Sequence, residues 1–208
     1  GGAGDKAFCT GGDQKVHLSE DGLYGPRGLV GLPIEELHSA IRDCRKVVIA
    51  RVQGFAIGGG NVFVTICDLA IASEKAKLGQ VGPKVGSVDP GYGTAYLSRI
   101  IGEKKAREVW FLCRQYNAQQ ALEMGLVNKV VPHDDLDAEC EAWAAEINAL
   151  SPTAIAIAKR SFNADSENIR GLSFLGIAAV KGYYQSEESK EGVRAFNEKR
   201  KPDFKKFV

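Results

Sequence analysis

Apolar residues at Ile34, Leu37 and Ile41 recur at helical spacing and predict a helix over residues 34–43 with one face turned inward. The β-branched run Val47-Val48-Ile49-Ala50-Arg51-Val52 predicts a short buried strand. A glycine-rich turn over 54–60 follows, then a helical pattern over 61–67 and a second strand over 68–72. This strand, turn, helix, strand order predicts an α/β unit with a right-handed crossover. Residues 1–33 and 78–93 are rich in glycine and other turn formers and read as loops.

Beyond residue 94 the pattern is mostly helical. Short helices are predicted over 94–101, 103–112 and 118–124, then a brief strand over 129–131 that Pro132 ends. Leu136, Cys140, Trp143 and Ile147 repeat every three or four residues, which predicts a long amphipathic helix over 134–150. Pro152 suits the first turn of a further helix reaching residue 164. Two more helices fill 169–197, and a basic, aromatic tail closes the chain. The pattern divides into an α/β core over 1–133 and a helical region over 134–208.

Composition narrows the function. The chain has 208 residues, 44% hydrophobic and 25% charged, as ordinary globular proteins have. Its net charge of +1 gives no bulk attraction for nucleic acid. No apolar run approaches the ~18–20 residues of a membrane span, so neither nucleic acid nor membrane is an expected partner. No signal-peptide pattern is visible, and the five cysteines are widely spaced with no CxxC pair. Reduced thiols in a cytoplasmic protein are the expectation. His17, His38 and His133 form no metal-ligand spacing, so no metal site is expected.

Two glycine clusters carry the candidate chemistry: Phe8-Cys9-Thr10-Gly11-Gly12-Asp13-Gln14 and Gly54-Phe55-Ala56-Ile57-Gly58-Gly59-Gly60-Asn61. Glycine lets backbone approach a ligand closely. In the second cluster the glycines stand where a strand hands over to a helix, whose first N–H groups favour negative charge. One such donor from each loop can hold a developing oxyanion. The spacing matches neither a dinucleotide fingerprint nor a P-loop. Taken alone, such clusters are more often the mark of tight turns and close helix packing.

Together with Asp5-Lys6-Ala7 before the first cluster, Cys67-Asp68-Leu69-Ala70-Ile71-Ala72, Leu78-Gly79-Gln80, Ala121-Leu122-Glu123-Met124-Gly125-Leu126-Val127 and the tail from Phe196 to Phe204, the clusters resemble the crotonase (enoyl-CoA hydratase/isomerase) superfamily. The resemblance runs over essentially the whole chain. It implies a ClpP-like spiral of ββα units and a helical C-terminal region that builds homotrimers or homohexamers. It also implies acyl-CoA thioester substrates and further strands before the position of Asp5. By position, the oxyanion donors would be the N–H groups of Gly12 and Gly59. No cofactor is implied beyond the CoA moiety of the substrate. Lys6, Ala7 and Lys199 would meet that CoA.

Within the family, hydratases carry glutamates at the positions of Val62 and Gly82, and this chain has neither. The segment Gln80-Val81-Gly82-Pro83-Lys84-Val85-Gly86-Ser87-Val88-Asp89-Pro90-Gly91-Tyr92-Gly93 is similar instead to two other branches. These are the 2-ketocyclohexanecarboxyl-CoA hydrolases, which open a ring, and the 1,4-dihydroxy-2-naphthoyl-CoA synthases, which close one. Asn61 and Tyr92 resemble the hydrolases, whereas Trp110 to Tyr116 and the tail resemble the synthases. The resemblance implies Asp89 as general base, Tyr184 as acid or ketone-polarising donor, and Ser87 as an orienting or carbonyl-binding group. Gln80, Gly82, Tyr92 and Asp13 would contact substrate. In a synthase, Gln80 and Gly82 would hold bicarbonate. Residues 15–33 would shape the pocket wall as a lid. Without the family match, Asp89 and Ser87 read as turn residues and Tyr184 as a packing aromatic. A third reading is a non-catalytic scaffold that binds acyl-CoA or RNA.

Overall fold

Backbone hydrogen bonding gathers seven short strands into two sheets among the described residues of this computed structural model, which are 1–18 and 22–208. In chain order the core comprises Ala7–Cys9 (β1), Ile34–Asp43 (α1), Ile49–Val52 (β2), Phe55–Ile57 (β3), Gly59–Ile66 (α2), Leu69–Ser73 (β4) and Lys77–Gly79 (β5). Gly82–Val85 (α3), Leu97–Ile101 (α4), Glu103–Leu112 (α5), Gln115–Asn117 (β6), Ala118–Glu123 (α6) and Lys129–Val131 (β7) follow. Leu136–Asn148 (α7), Pro152–Asp165 (α8), Glu167–Tyr184 (α9) and Glu187–Asn197 (α10) form the helical region.

One sheet runs β1-β3-β5-β6, parallel except for its last pair; the other runs β2-β4-β7, all parallel. Helix α2 joins β3 of the first sheet to β4 of the second. The main core lies between these layers, with Val52, Ala56, Ala72 and Leu78 wholly buried. Each strand is only three to five residues long, so side chains from the helices complete the burial that stabilises it.

Local chemistry explains the boundaries. Asn117 caps α6: its Oδ1 accepts from Gln120 N–H at 2.8 Å, and Gln120 Oε1 accepts from Asn117 N–H at 2.9 Å. Ser151 caps α8 ahead of Pro152. The expected helices over 34–43 and 103–112 and the strand over 129–131 have these bounds in the structure.

Other expectations need correction. Residues 1–33 are not all loop, since β1 and a single turn at Val16–Leu18 lie within them. The turn over 54–60 contains β3, and the loop over 78–93 contains the end of β5 and all of α3. The helix expected from residue 94 begins as a wide π turn at Tyr92–Tyr96 before α4. The long helix expected over 134–150 starts as a separate short turn at His133–Asp135.

Candidate functional site

Parallel pairing of β1 with β3 sets the two glycine loops side by side at the same end of one sheet. The pairing matches Ala7 with Phe55 and Cys9 with Ala56, so both chains leave the sheet together. Gln53, fully buried, reinforces this: its Nε2 donates to Ala7 O at 2.8 Å and to Gly4 O at 3.2 Å. Helix α2 then packs directly on the end of β1. A Cβ at Gly60 would lie 1.9 Å from Cys9 O, so only glycine permits this approach. Gly59 is the first residue of α2, and its amide has no carbonyl partner within the helix.

The loops open into a cavity of about 410 Å³. Gly12 and Gly59 line it together with Asp13, Gln80 and Gly82. Ser87, Asp89 and Tyr184 line it too, so eight of the expected site residues share one cavity. Tyr92, Lys6, Ala7 and Lys199 do not line it. Tyr92 is buried behind it, against His38 and the Arg42 guanidinium. Ala7 belongs to β1, the Lys6 carbonyl accepts from Phe55 N–H at 3.0 Å, and Lys199 follows α10. Residues 19–21 of the expected lid lie outside the described residues.

Ser87 Oγ and Tyr184 Oη are 2.7 Å apart, a bridge between the loop after α3 and the last residue of α9. Burial pushes the Tyr184 phenol well above its ordinary range, and its neighbour Tyr24 adds to the rise. Tyr184 therefore holds its proton at neutral pH. Asp89 Oδ1 accepts from Gly93 N–H at 2.9 Å. Burial nevertheless raises the Asp89 carboxyl to about 6; the Gly93 bond lowers it and the charge of Glu35 raises it further. A carboxylate poised there can accept a proton near neutrality.

Tyr24 and His17 escape the sequence reading. Tyr24 lines the cavity, and its hydroxyl accepts from Gln14 Nε2 at 3.1 Å. His17 stacks on Tyr24 with ring centroids 4.4 Å apart and meets Tyr184 edge-on at 4.4 Å. Burial lowers His17 to about 4, so its ring is neutral and packs as an aromatic wall. An aromatic and a histidine inside a glycine-rich loop were the available signal.

The positions where hydratases carry glutamate are closed. Val62 is wholly buried in an apolar cluster with Ile66, Tyr92 and Ile169. A Cβ at Gly82 would lie 2.4 Å from Ser87 O and 2.7 Å from the Trp110 ring. The Trp110 indole N–H donates to Gly93 O, fixing the ring that fills this space. Gln80, 1% exposed, donates to Asn61 Oδ1 at 3.3 Å. Among the described residues no group of three or more His, Cys, Asp or Glu could hold a metal ion, and no helix is long and apolar enough to cross a membrane.

Comparison with known proteins places this geometry. The family described as Enoyl-CoA hydratase/isomerase matches residues 1–206. A solved enoyl-CoA hydratase from Mycobacterium avium subsp. paratuberculosis K-10 is 29% identical, with a TM-score of 0.77 over 82% of this chain and 70% of that one. The OdaA protein of Pseudomonas aeruginosa is 28% identical, with a TM-score of 0.79 over 93% of this chain and 77% of its own. A methylmalonyl-CoA decarboxylase is 28% identical, with a TM-score of 0.73 over 83% of this chain and 68% of its own. Members of the family act on acyl-CoA and typically need no cofactor beyond the CoA of the substrate. The chain has the crotonase fold with a helical C-terminal region and belongs to the enoyl-CoA hydratase/isomerase, or crotonase, family.

Proposed function

We propose that the chain hydrolyses the ring C–C bond of a cyclic β-ketoacyl-CoA, as in the opening of 2-ketocyclohexanecarboxyl-CoA to pimeloyl-CoA. The observation that carries this reading is the convergence of Asp89, Ser87 and Tyr184 on one cavity with the two glycine loops, where neither hydratase glutamate is present. Asp89 takes a proton from water as the water adds to the ring ketone. The hydrate collapses to a carboxylic acid, and the bond to the α-carbon breaks. Its electron pair moves into the thioester, whose oxygen is held by the N–H groups of Gly12 and Gly59. Tyr184, oriented by Ser87, delivers a proton to the α-carbon and is reprotonated by the proton that the new carboxylic acid gives up, while Asp89 releases its own proton to solvent. Tyr24 lines the same cavity, with its hydroxyl accepting from Gln14. Asp13, Gln80 and Gly82 contribute to the pocket wall. The chain works as a cytoplasmic homotrimer or homohexamer, assembled through its helical region.

The run Trp110 to Tyr116 favours a second reading, ring closure of succinylbenzoyl-CoA by a synthase, with bicarbonate held near Gln80 and Gly82. Both thioesters are offered to the purified protein and the products are identified by mass. Release of a dicarboxylic monothioester from the cyclic ketone supports the hydrolase; closure of succinylbenzoyl-CoA alone supports the synthase. Asp89→Asn is expected to lower ring-opening turnover by about 10²–10⁴-fold. Wild-type turnover in that variant would remove Asp89 as the base.

A further inference from the structure

Gln14 is a side chain of the cavity wall that the mechanism above leaves unused. Its Nε2 donates to Gly12 O at 3.3 Å and to Tyr24 Oη at 3.1 Å. The Tyr24 ring lies directly on Gly12: a Cβ there would stand 2.4 Å from Tyr24 Cε1 and 2.8 Å from Tyr24 Cζ. Gly12 is thus gripped twice, at its carbonyl by the Gln14 amide and at its α-carbon by the ring that the same amide holds. His17 stacks on the other partner of this grip, Tyr24, while its own N–H donates to Asp13 O at 3.1 Å. Tyr24 N–H donates to Val30 O at 3.0 Å, so the ring has a fixed base.

Gln14 is itself anchored from the far end of the chain. Asn197, the last residue of α10, donates from Nδ2 to Gln14 O at 3.1 Å and to Val193 O at 2.9 Å. The other end of the Gln14 amide gains nothing: Oε1 is buried with no hydrogen-bond partner among the described residues. An unpaired buried acceptor costs free energy, and a methionine of similar length would fill the space without that cost. What the glutamine alone supplies is the pair of N–H donors. The loop that they steady touches the second glycine loop, since a Cβ at Gly11 would lie 3.4 Å from Gly59 N. A small displacement of this loop therefore changes the gap between Gly12 and Gly59.

We propose that Gln14 is a positioning residue: by spanning Gly12 O and Tyr24 Oη it holds the Gly12 N–H at the spacing from the Gly59 N–H that a thioester oxyanion needs. The proposal rests on the reading of Gly12 and Gly59 as oxyanion donors. It holds whether the ring is opened or closed, because both reactions pass through the same enolate.

The test uses acetoacetyl-CoA, a β-ketoacyl thioester that enolises between its two carbonyls and whose enolate absorbs in the near ultraviolet. The parent chain is expected to raise the enolate fraction of the bound thioester at pH 7, with binding followed by titration calorimetry. Gln14→Met is expected to lower that fraction several-fold and ring-opening kcat by about 10–100-fold, with KM nearly unchanged, because a misplaced donor is felt most where the charge develops. Its melting temperature is expected to stay close to the parent's, since an unpaired acceptor is removed together with the two hydrogen bonds. Gln14→Leu supplies a second donor-free side chain if the methionine variant does not fold. An enolate fraction that stays at the parent's level in the donor-free variants overturns the proposal, even if KM rises. A parent chain that binds acetoacetyl-CoA without raising its enolate overturns the oxyanion reading, and the proposal with it.

Discussion

At Asp89 the requirements of chemistry and of folding oppose each other. In the unfolded chain this carboxyl titrates near 3.8, and in the folded chain near 6. Between those values the folded state binds more protons, so stability falls as pH rises through that window. The full shift corresponds to at most about 3 kcal/mol, reduced by whatever water reaches the cavity side of the residue. Asp89→Asn is therefore expected to melt at a higher temperature than the parent at pH 7 and at nearly the same temperature at pH 4. Thermal unfolding followed at both values checks this, and a lower melting temperature at pH 7 would contradict it. Ser87, Asp89 and Tyr184 are legible in the sequence only through the resemblance to the crotonase family; without it they read as turn residues and a packing aromatic. Tyr92 shows the opposite failure: a loop tyrosine beside a candidate base reads as substrate-binding, yet its ring is taken up by Arg42 and His38.

Among the elements, α8 is tied to the core by a buried lysine as well as by Asn163, whose Nδ2 donates to Arg42 O at 2.7 Å. Lys159 Nζ donates to Ile41 O at 3.0 Å, Lys46 O at 3.1 Å and Asp68 Oδ2 at 2.7 Å. Asp68 in turn accepts from Val48 N–H at 2.7 Å. One ammonium thus joins α8 to the end of α1, to the loop before β2 and to the start of β4. Lys159→Met keeps the stem but strips three acceptors of their donor. It is expected to cost about 3–5 kcal/mol, read as a lower denaturation midpoint with an unchanged slope. None of this is visible in sequence, where Lys159 sits in a run that reads as an ordinary amphipathic helix. The long helices were legible because an apolar stripe over ten or more residues identifies its own period. Strands β1, β3, β5 and β6 were not, because three residues are too few to show alternation. Their pairing is set by neighbours distant in sequence.

Over the whole molecule, the helical region leaves large apolar side chains facing outward. Ile157 and Phe162 on α8 are 65% and 79% exposed, and Leu175 on α9 is 70% exposed. Several large apolar side chains left exposed on neighbouring helices are candidates for a contact surface. Closed cyclic symmetry would cover them, in line with the proposed trimer or hexamer. Light scattering coupled to gel filtration is expected to give a trimer or hexamer for the parent chain and smaller species for Phe162→Glu combined with Leu175→Glu. A parent chain that elutes as a monomer at every concentration would remove this assembly. The division into an α/β core and a helical region was legible from periodicity; which helix faces would remain outside the core was not, because the stripes on α8 and α9 look alike in sequence whether they meet the core or another copy.

The parallel pairing of β1 and β3 has a consequence for how activity is lost. The two proposed oxyanion donors belong to loops that the sheet brings together, and β1 is three residues long. Gln53 clasps it from the side. Peeling this one strand away would pull Gly12 from Gly59 while leaving the larger part of the hydrophobic core intact. Turnover then reports the attachment of a single strand rather than the integrity of the fold. On gentle heating the protein would fall silent well before it comes apart, and on cooling it would regain its voice without having to refold.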